Sequence, residues 1–161
     1  MGTYDVAQVC VNGHTITSRA AGKPELLSKA CPECGAKTIT TCPECNTRIR
    51  GEYDVEGIWI LGSTFTVPKY CHNCGSPYPW TKSKLEAITM LLDEDENLDF
   101  GTKCRAIEVL PDLLAETPKT ELAAARWKKL LSGTSKFVGD SIRSIFVEIG
   151  AEVALKLLGL K

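Results

Sequence analysis

The chain has 161 residues, of which 43% are hydrophobic and 24% charged, and its formal net charge is −1. These values exclude a wholly disordered chain and provide no general attraction for nucleic-acid phosphates. No run reaches the ~18 apolar residues of a membrane span, and the first residues lack the features of a signal peptide, so a cytoplasmic protein without a transmembrane segment is expected.

The composition changes near Trp80. Residues 1–80 contain seven of the eight cysteines, whereas residues 81–161 contain fourteen leucines against three in the first part. Turn-forming residues and short apolar runs in the first part predict β hairpins, and the leucine-rich second part predicts helices. We therefore expect an α+β protein, with a cysteine-rich domain at 1–80 and a helical domain of three to four helices at 81–161.

Four short segments of the first part carry paired metal-ligand residues. Three are C-x-x-C pairs followed by Gly or Asn, the residue types that best tolerate a left-handed backbone. Each resembles the knuckle of rubredoxins and zinc ribbons, a tight turn that presents two ligands to one metal. The fourth segment departs from this pattern, with three residues between its ligands. The pairs are Cys10/His14, Cys31/Cys34, Cys42/Cys45 and Cys71/Cys74.

Eight ligands divide into two four-coordinate sites. Without an export signal the cysteines are expected to be reduced ligands rather than disulfides, and four protein ligands per site are typical of structural zinc. We predict two Zn²⁺ per chain in two tandem zinc-ribbon modules, with iron as the competitor at an all-cysteine site. Consecutive pairs sharing a site are the favoured arrangement, and cross-braced pairing is the alternative.

Apolar periodicity predicts the remaining elements in chain order. Strands are expected at 4–10, 38–41, 58–61 and 65–67, and helices at 82–95, 102–110, 117–131 and 135–158. Pro111 is expected to end the second helix, and Thr117-Pro118 to begin the third. His72 is expected to face solvent, and Cys104 to be a small buried residue on an apolar helix face.

The predicted helix at 135–158 is apolar around most of its surface. Its polar residues recur at every fourth position from Lys136 to Lys156. Three interpretations are open: a core helix covered by the others, an assembly helix that packs on another copy or on a protein partner, and a membrane-surface helix. Its shortage of Lys and Arg disfavours the membrane-surface helix.

Several specific strings resemble an uncharacterised bacterial zinc-ribbon family with a C-terminal helical domain. They are YDVAQVCVNGH at 4–14, YCHNCGSPYPWT at 70–81, LPDL at 110–113 and TPKT at 117–120. The resemblance spans essentially the whole chain. It implies a bacterial origin and zinc binding, includes His14 in the ligand set, and implies no activity.

The residues favour a zinc-binding protein-interaction or adaptor module with a helical assembly domain. An enzyme is not expected, because full ligand sets leave no open metal position and no nucleophile is paired with a base. Nucleic-acid binding is the alternative, through a patch of Arg48, Arg50 and Lys69 with Trp59 or Tyr53, although Lys and Arg do not exceed Asp and Glu in either part. A membrane-surface or self-assembling effector that acts through 135–158 is the second alternative.

Overall fold

The computed structural model describes residues 2–55, 57 and 64–159. The chain forms two compact units, Met1–Ser83 and Lys84–Lys161. Short antiparallel strands occupy the first unit and helices the second, which confirms the predicted α+β class. Among the helices of the described residues, none combines the length and apolarity that crossing a bilayer requires.

Two small antiparallel sheets form the first unit. One sheet pairs Thr3–Val6 with Arg50–Asp54. The other has Gln8–Cys10 in the middle, between Thr15–Thr17 and Thr38–Ile39. The strand expected at 4–10 is divided at Ala7, which is fully buried and donates its N–H to the carbonyl of Ile49. The expected strand at 58–61 lies outside the described residues, and 65–67 has no regular structure. The strands are β1 (Thr3–Val6), β2 (Gln8–Cys10), β3 (Thr15–Thr17), β4 (Thr38–Ile39) and β5 (Arg50–Asp54).

The buried centre of the first unit is small and includes cysteine sulfur. Tyr78 stacks on Trp80 with their ring centroids 4.7 Å apart, and the indole N–H of Trp80 donates to the carbonyl of Pro68 at 2.9 Å. Few aliphatic side chains support these rings. The buried cluster consists of Ala7, Val9, Cys42, Ile49, Cys71, Tyr78 and Trp80.

The described part of the chain then contains five helices, one more than the largest number predicted from the sequence. Trp127 is completely buried in the core of the second unit, where its indole N–H donates to the carbonyl of Ala106 and its ring meets Phe146 edge-on at 5.4 Å. The helices are α1 (Pro79–Glu94), α2 (Phe100–Leu114), α3 (Thr120–Gly133), α4 (Lys136–Ile149) and α5 (Glu152–Leu158).

Pro111 does not end α2, contrary to the expected stop. The helix continues to Leu114 with Pro111 inside it. Proline removes one backbone hydrogen bond, but Leu113 and Leu114 beyond it are at most 1% exposed, and burying two leucines outweighs that loss. The third helix begins at Thr120 rather than at Pro118, which was the first helical position expected after an N-cap at Thr117. The reason is a turn around Thr117, in which Lys119 N–H donates to the Thr117 hydroxyl.

The expected helix at 135–158 is broken, so the prediction of one continuous helix was wrong. Gly150 adopts a left-handed conformation with φ 67° and ends α4 by donating its N–H to the carbonyl of Val147. The chain restarts as α5, which packs on both α3 and α4. Most apolar residues of the segment are therefore core, including Phe146 at 0% exposure, whereas Phe137 and Val147 are 74% and 58% exposed.

Asp95 joins the end of α1 to the start of α4. Its side chain is 2% exposed, and its carboxylate oxygens accept 2.8 Å hydrogen bonds from the N–H groups of Asn97 and Ser135. Burial opposes ionisation of this carboxyl, but the hydrogen bonds outweigh that effect and lower the pKa of Asp95.

Replacing Asp95 by Asn should lower the free energy of unfolding by about 2 kcal/mol at neutral pH, because an amide NH₂ replaces one of the two acceptors. The pKa of Asp95 is lower in the folded state, so its stabilisation is present above about pH 4 and is lost as the pH falls through the folded-state value. Urea unfolding followed by circular dichroism should show a smaller difference between the two proteins at pH 3 than at pH 7.

Asp93→Asn is the matched control, because the Asp93 side chain is exposed on the same helix end. It should change the unfolding free energy by less than about 0.5 kcal/mol. An equal loss in both variants, or a difference that does not change with pH, would contradict the role given to Asp95.

Candidate metal centres

The three C-x-x-C segments fold into one repeated turn. In each, the N–H of the first cysteine donates to the carbonyl five residues later, and the residue after the second cysteine donates back to the first cysteine's carbonyl. That residue is left-handed in all three turns, with φ of 69° at Gly35, 57° at Asn46 and 73° at Gly75. The predicted left-handed positions are therefore confirmed, and they direct both sulfurs of each turn to the same side.

The first ligand pair uses a related turn. Gly13 has φ 95° and donates its N–H to the carbonyl of Cys10, while Cys10 N–H donates to the carbonyl of His14. A Cβ at Gly13 would lie 3.1 Å from Cβ of Trp80, so both the backbone conformation and the close approach require glycine here. The extra residue between Cys10 and His14 is accommodated by this turn.

Cys10, His14, Cys31 and Cys34 form the first cluster, in which the donor atoms all lie within 4.8 Å of one another. Nδ1 of His14 lies 3.4 Å from Sγ of Cys10 and 3.5 Å from Sγ of Cys31. The opposite ring nitrogen, Nε2, lies 3.7 Å from a carboxylate oxygen of Glu33. A histidine that binds metal through one nitrogen commonly presents the other to a carboxylate, and His14 has this arrangement.

Cys42, Cys45, Cys71 and Cys74 form the second cluster, also with donor atoms within 4.8 Å. Sγ of Cys42 lies 3.8 Å from that of Cys74, and Sγ of Cys45 lies 3.6 Å from that of Cys71. Consecutive pairs therefore meet, as the favoured arrangement predicted, and the cross-braced pairing does not occur.

These distances fit tetrahedral coordination. Zinc–sulfur bonds of about 2.3 Å at tetrahedral angles place sulfurs about 3.8 Å apart, and a zinc–nitrogen bond of about 2.0 Å gives a nitrogen–sulfur separation of about 3.5 Å. The sulfur pairs at 3.6 and 3.8 Å and the His14 contacts at 3.4 and 3.5 Å match these values. Each cluster could therefore hold one metal ion with four protein ligands.

Buried and exposed sulfurs alternate in both clusters. The first cysteine of each turn is buried, whereas Cys34 and Cys74 are exposed and Cys45 is half-buried. Burial raises the pKa of Cys42 to about 11. Hydrogen bonds from Ala36 N–H and the Asn12 amide lower the pKa of Cys34 to about 6, and the Thr47 hydroxyl and N–H do the same for Cys45. Since metal binds the thiolate, metal affinity should fall in acid.

Two asparagines support the clusters in the same way. The amide of Asn12 donates to Sγ of Cys34 at 3.4 Å, and the amide of Asn73 donates to Sγ of Cys45 at 3.8 Å. Each asparagine follows the first ligand of one turn by two residues and contacts the second cysteine of the other turn. The sequence interpretation missed them, although Asn at the second position after Cys10 and Cys71 is a shared signal.

Two further predictions concern residues outside the clusters. His72 is exposed and takes no part in either cluster, as expected for a solvent-facing residue. Cys104 is exposed rather than buried, so that expectation was wrong. The residues of α2 that face the core of the second unit include Ala106 and Leu110, at 4% and 2% exposure. At 3.6 residues per turn, Cys104 lies on the side of the helix opposite to them.

The model of the family described as an uncharacterised protein conserved in bacteria (DUF2321) matches residues 3–158. The chain belongs to this family. Comparisons with curated proteins and with solved structures found no significant match. Membership supports the bacterial resemblance drawn from the sequence strings, and both cysteine clusters lie within the matched range.

Replacing Cys42 by Ser should unfold the first unit, because a lost ligand removes binding energy that is also folding energy. The purified wild type should contain about two metal ions per chain, and Cys42→Ser about one or fewer. Elemental analysis measures the metal, and near-ultraviolet circular dichroism reports the packing of Tyr78 and Trp80.

Cys104→Ser is the control, because it removes a cysteine outside both clusters. It should keep the full metal content and the wild-type spectrum. A measured content of one metal ion per wild-type chain would show that one of the two clusters does not bind metal.

Gly75→Ala tests the left-handed turn by itself, because a Cβ at Gly75 meets no atom within 4 Å. The substitution should lower the free energy of unfolding by about 1 kcal/mol, because alanine is disfavoured in the left-handed conformation. The loss should be seen as a lower thermal midpoint of the metal-loaded protein. Gly75→Asn should cost less, since Asn46 holds the same conformation in the second turn. Equal midpoints for the two variants would contradict this explanation.

Proposed function

We propose that the chain is a zinc-stabilised protein-interaction module. The observation that carries the proposal is that each cluster supplies four ligands in tetrahedral spacing, which is typical of a structural metal and leaves no position for a substrate. The three-cysteine, one-histidine set of the first cluster favours zinc over iron. A reducing compartment such as the cytoplasm belongs to the proposal, because the ligand cysteines must stay reduced.

A binding role rather than catalysis agrees with the rest of the described surface. Closed metal sites offer no Lewis acid to a substrate, and the polar atoms of buried side chains all have hydrogen-bond partners in the described residues. Several large apolar side chains are instead exposed on the helices, such as Phe100 at 82%, Phe137 at 74% and Leu122 at 54%. Such groups mark a surface that contacts other proteins where several of them adjoin.

One observation favours nucleic-acid binding as the second candidate. Tyr4 and Tyr53 lie side by side on β1 and β5, about half exposed, with ring centroids 4.9 Å apart. The guanidinium of Arg50 lies 4.9 Å from the centre of the Tyr4 ring. Aromatic rings beside arginine can stack unpaired bases, but Asp54 next to Tyr53 on the same strand would repel phosphates. The charge of Glu52 on that strand is compensated by an ion pair with Arg19. Trp59, the other aromatic of the predicted patch, lies outside the described residues.

A zinc-dependent capture experiment tests the proposal. Zinc-loaded wild type and Cys42→Ser are immobilised, and proteins from the source bacterium that bind each are identified by mass spectrometry. We expect the wild type to retain one or a few proteins in near-stoichiometric amounts. Proteins bound through the first unit should be lost from Cys42→Ser, whereas proteins bound through the second unit should stay on both. Retention of no protein in near-stoichiometric amounts by the wild type would contradict the interaction module.

Nucleic-acid binding is measured separately by fluorescence anisotropy at physiological salt. Labelled single-stranded RNA and duplex DNA should bind more weakly than ~10⁻⁵ M, because the chain lacks a basic surplus. A submicromolar affinity that falls steeply with salt and is lost in Tyr4→Ser would establish the second candidate instead.

A further inference from the structure

A groove runs between α2 and α3 on the surface of the second unit. It consists of two adjoining depressions of about 350 and 630 Å³, and both are lined by Glu108 and Arg126. On α2 the lining extends from Thr102 to Asp112, which corresponds to a length of about 15 Å at the helical rise. The α2–α3 groove is therefore long enough to seat about three turns of a helix.

The side chains that line the α2–α3 groove are mainly cationic. Four cations and two carboxylates face it. Among the described residues, none of these cations forms a salt bridge. One of the carboxylates, Asp112, accepts a 2.9 Å hydrogen bond from the Thr117 hydroxyl. The cations are Arg105, Lys119, Arg126 and Lys129.

The floor of the groove is apolar. Ala106 and Leu130 form it at the wider end, and Val109 and Ala123 at the narrower end. Leu122 borders the narrower end and is 54% exposed, so an aliphatic side chain of a ligand placed there would cover it. Covering such groups stabilises a complex because it removes apolar surface from water.

We propose that the α2–α3 groove binds an amphipathic, acidic helix of a partner protein, with aliphatic residues on the floor and Asp or Glu against the cations. The cations form no salt bridge, although Arg105 donates a 3.2 Å hydrogen bond to the Thr102 hydroxyl. Their position above an apolar floor matches carboxylates alternating with Leu, Ile or Val at i, i+3, i+4 and i+7. This inference rests on the proposed interaction function and names the surface and the chemistry of the partner.

The lining favours a peptide over a nucleic acid. No aromatic ring is among the residues that line either depression, so an unpaired base would have no ring on which to stack. The floor instead presents Ala, Val and Leu, which make their best contacts with aliphatic side chains.

The test uses a displayed library of random 16-residue peptides, selected on the zinc-loaded full chain. Selected sequences should carry several Asp or Glu with aliphatic residues at helical spacing. Their affinities are then measured by fluorescence anisotropy. The double variant Arg126→Glu/Lys129→Glu should bind them at least tenfold more weakly, and the difference should shrink at high salt.

Lys128→Glu is the control for the single variant Arg126→Glu, because both substitutions change the charge equally. Lys128 is exposed on α3 between the two test positions but does not line the groove. Lys128→Glu should bind within twofold of the wild type. Circular dichroism and thermal midpoints of all variants should agree, since each substitution is at an exposed residue. Arg126→Glu should bind the peptides more weakly than Lys128→Glu does. Equal losses in these two single variants would show a general effect of charge and overturn the site.

Other outcomes also overturn the proposal. The first is that the selection yields no peptides, and the second is that it yields peptides without acidic residues. The third is that a 16-nucleotide RNA binds more tightly than any peptide and loses affinity in the double variant. If the wild type and the double variant capture the same partners, the interaction function stands and the groove assignment fails. If selected peptides bind through the groove but no partner is captured, the groove assignment stands and the interaction function fails.

Discussion

The crowding of cysteine sulfur at two points is the constraint on which the first unit depends. Four sulfurs within 4.8 Å of one another in the second cluster would repel as thiolates unless a cation lies among them. Cys42 and Cys71 of that cluster are also part of the small buried centre of the unit. Ligand binding and core formation therefore use the same atoms. Few aliphatic side chains are buried among the described residues of this unit, so the additional energy that a metal ion supplies would contribute much of its stability.

The second unit is stabilised in the opposite way. Its core is a continuous cluster of buried apolar residues around Trp127 and Phe146, with hydrogen bonds from Asp95 fixing the ends of two helices. No metal-ligand group of three or more residues occurs among its described residues. One chain thus combines a unit with a small core and two clustered ligand sets with a unit that depends on ordinary hydrophobic burial. Loss of metal should destabilise the first unit far more than the second.

The sequence predicted best what is decided locally. The turns around the cysteine pairs are closed by hydrogen bonds between residues a few positions apart, so the spacing of Cys31 and Cys34 and the identity of Gly35 were sufficient. The wrong predictions concern positions whose structure depends on burial against parts of the chain distant in sequence. Pro111 stays inside a helix because Leu113 and Leu114 are buried against other elements, and Cys104 is exposed because of the direction in which α2 packs. The hydrophobic periodicity of a single segment does not predict either outcome, because both depend on packing against other elements.

The break at Gly150 has a consequence for the order in which the second unit opens. It leaves α5 with seven residues, about two turns, and a helix this short has almost no stability in isolation. Its helical state therefore depends on burying Ala154, Leu155 and Leu158. Amide protons of α5 should exchange with solvent through a local detachment that costs less free energy than unfolding of the remaining helices. The helix α5 is then the part of the second unit expected to detach first.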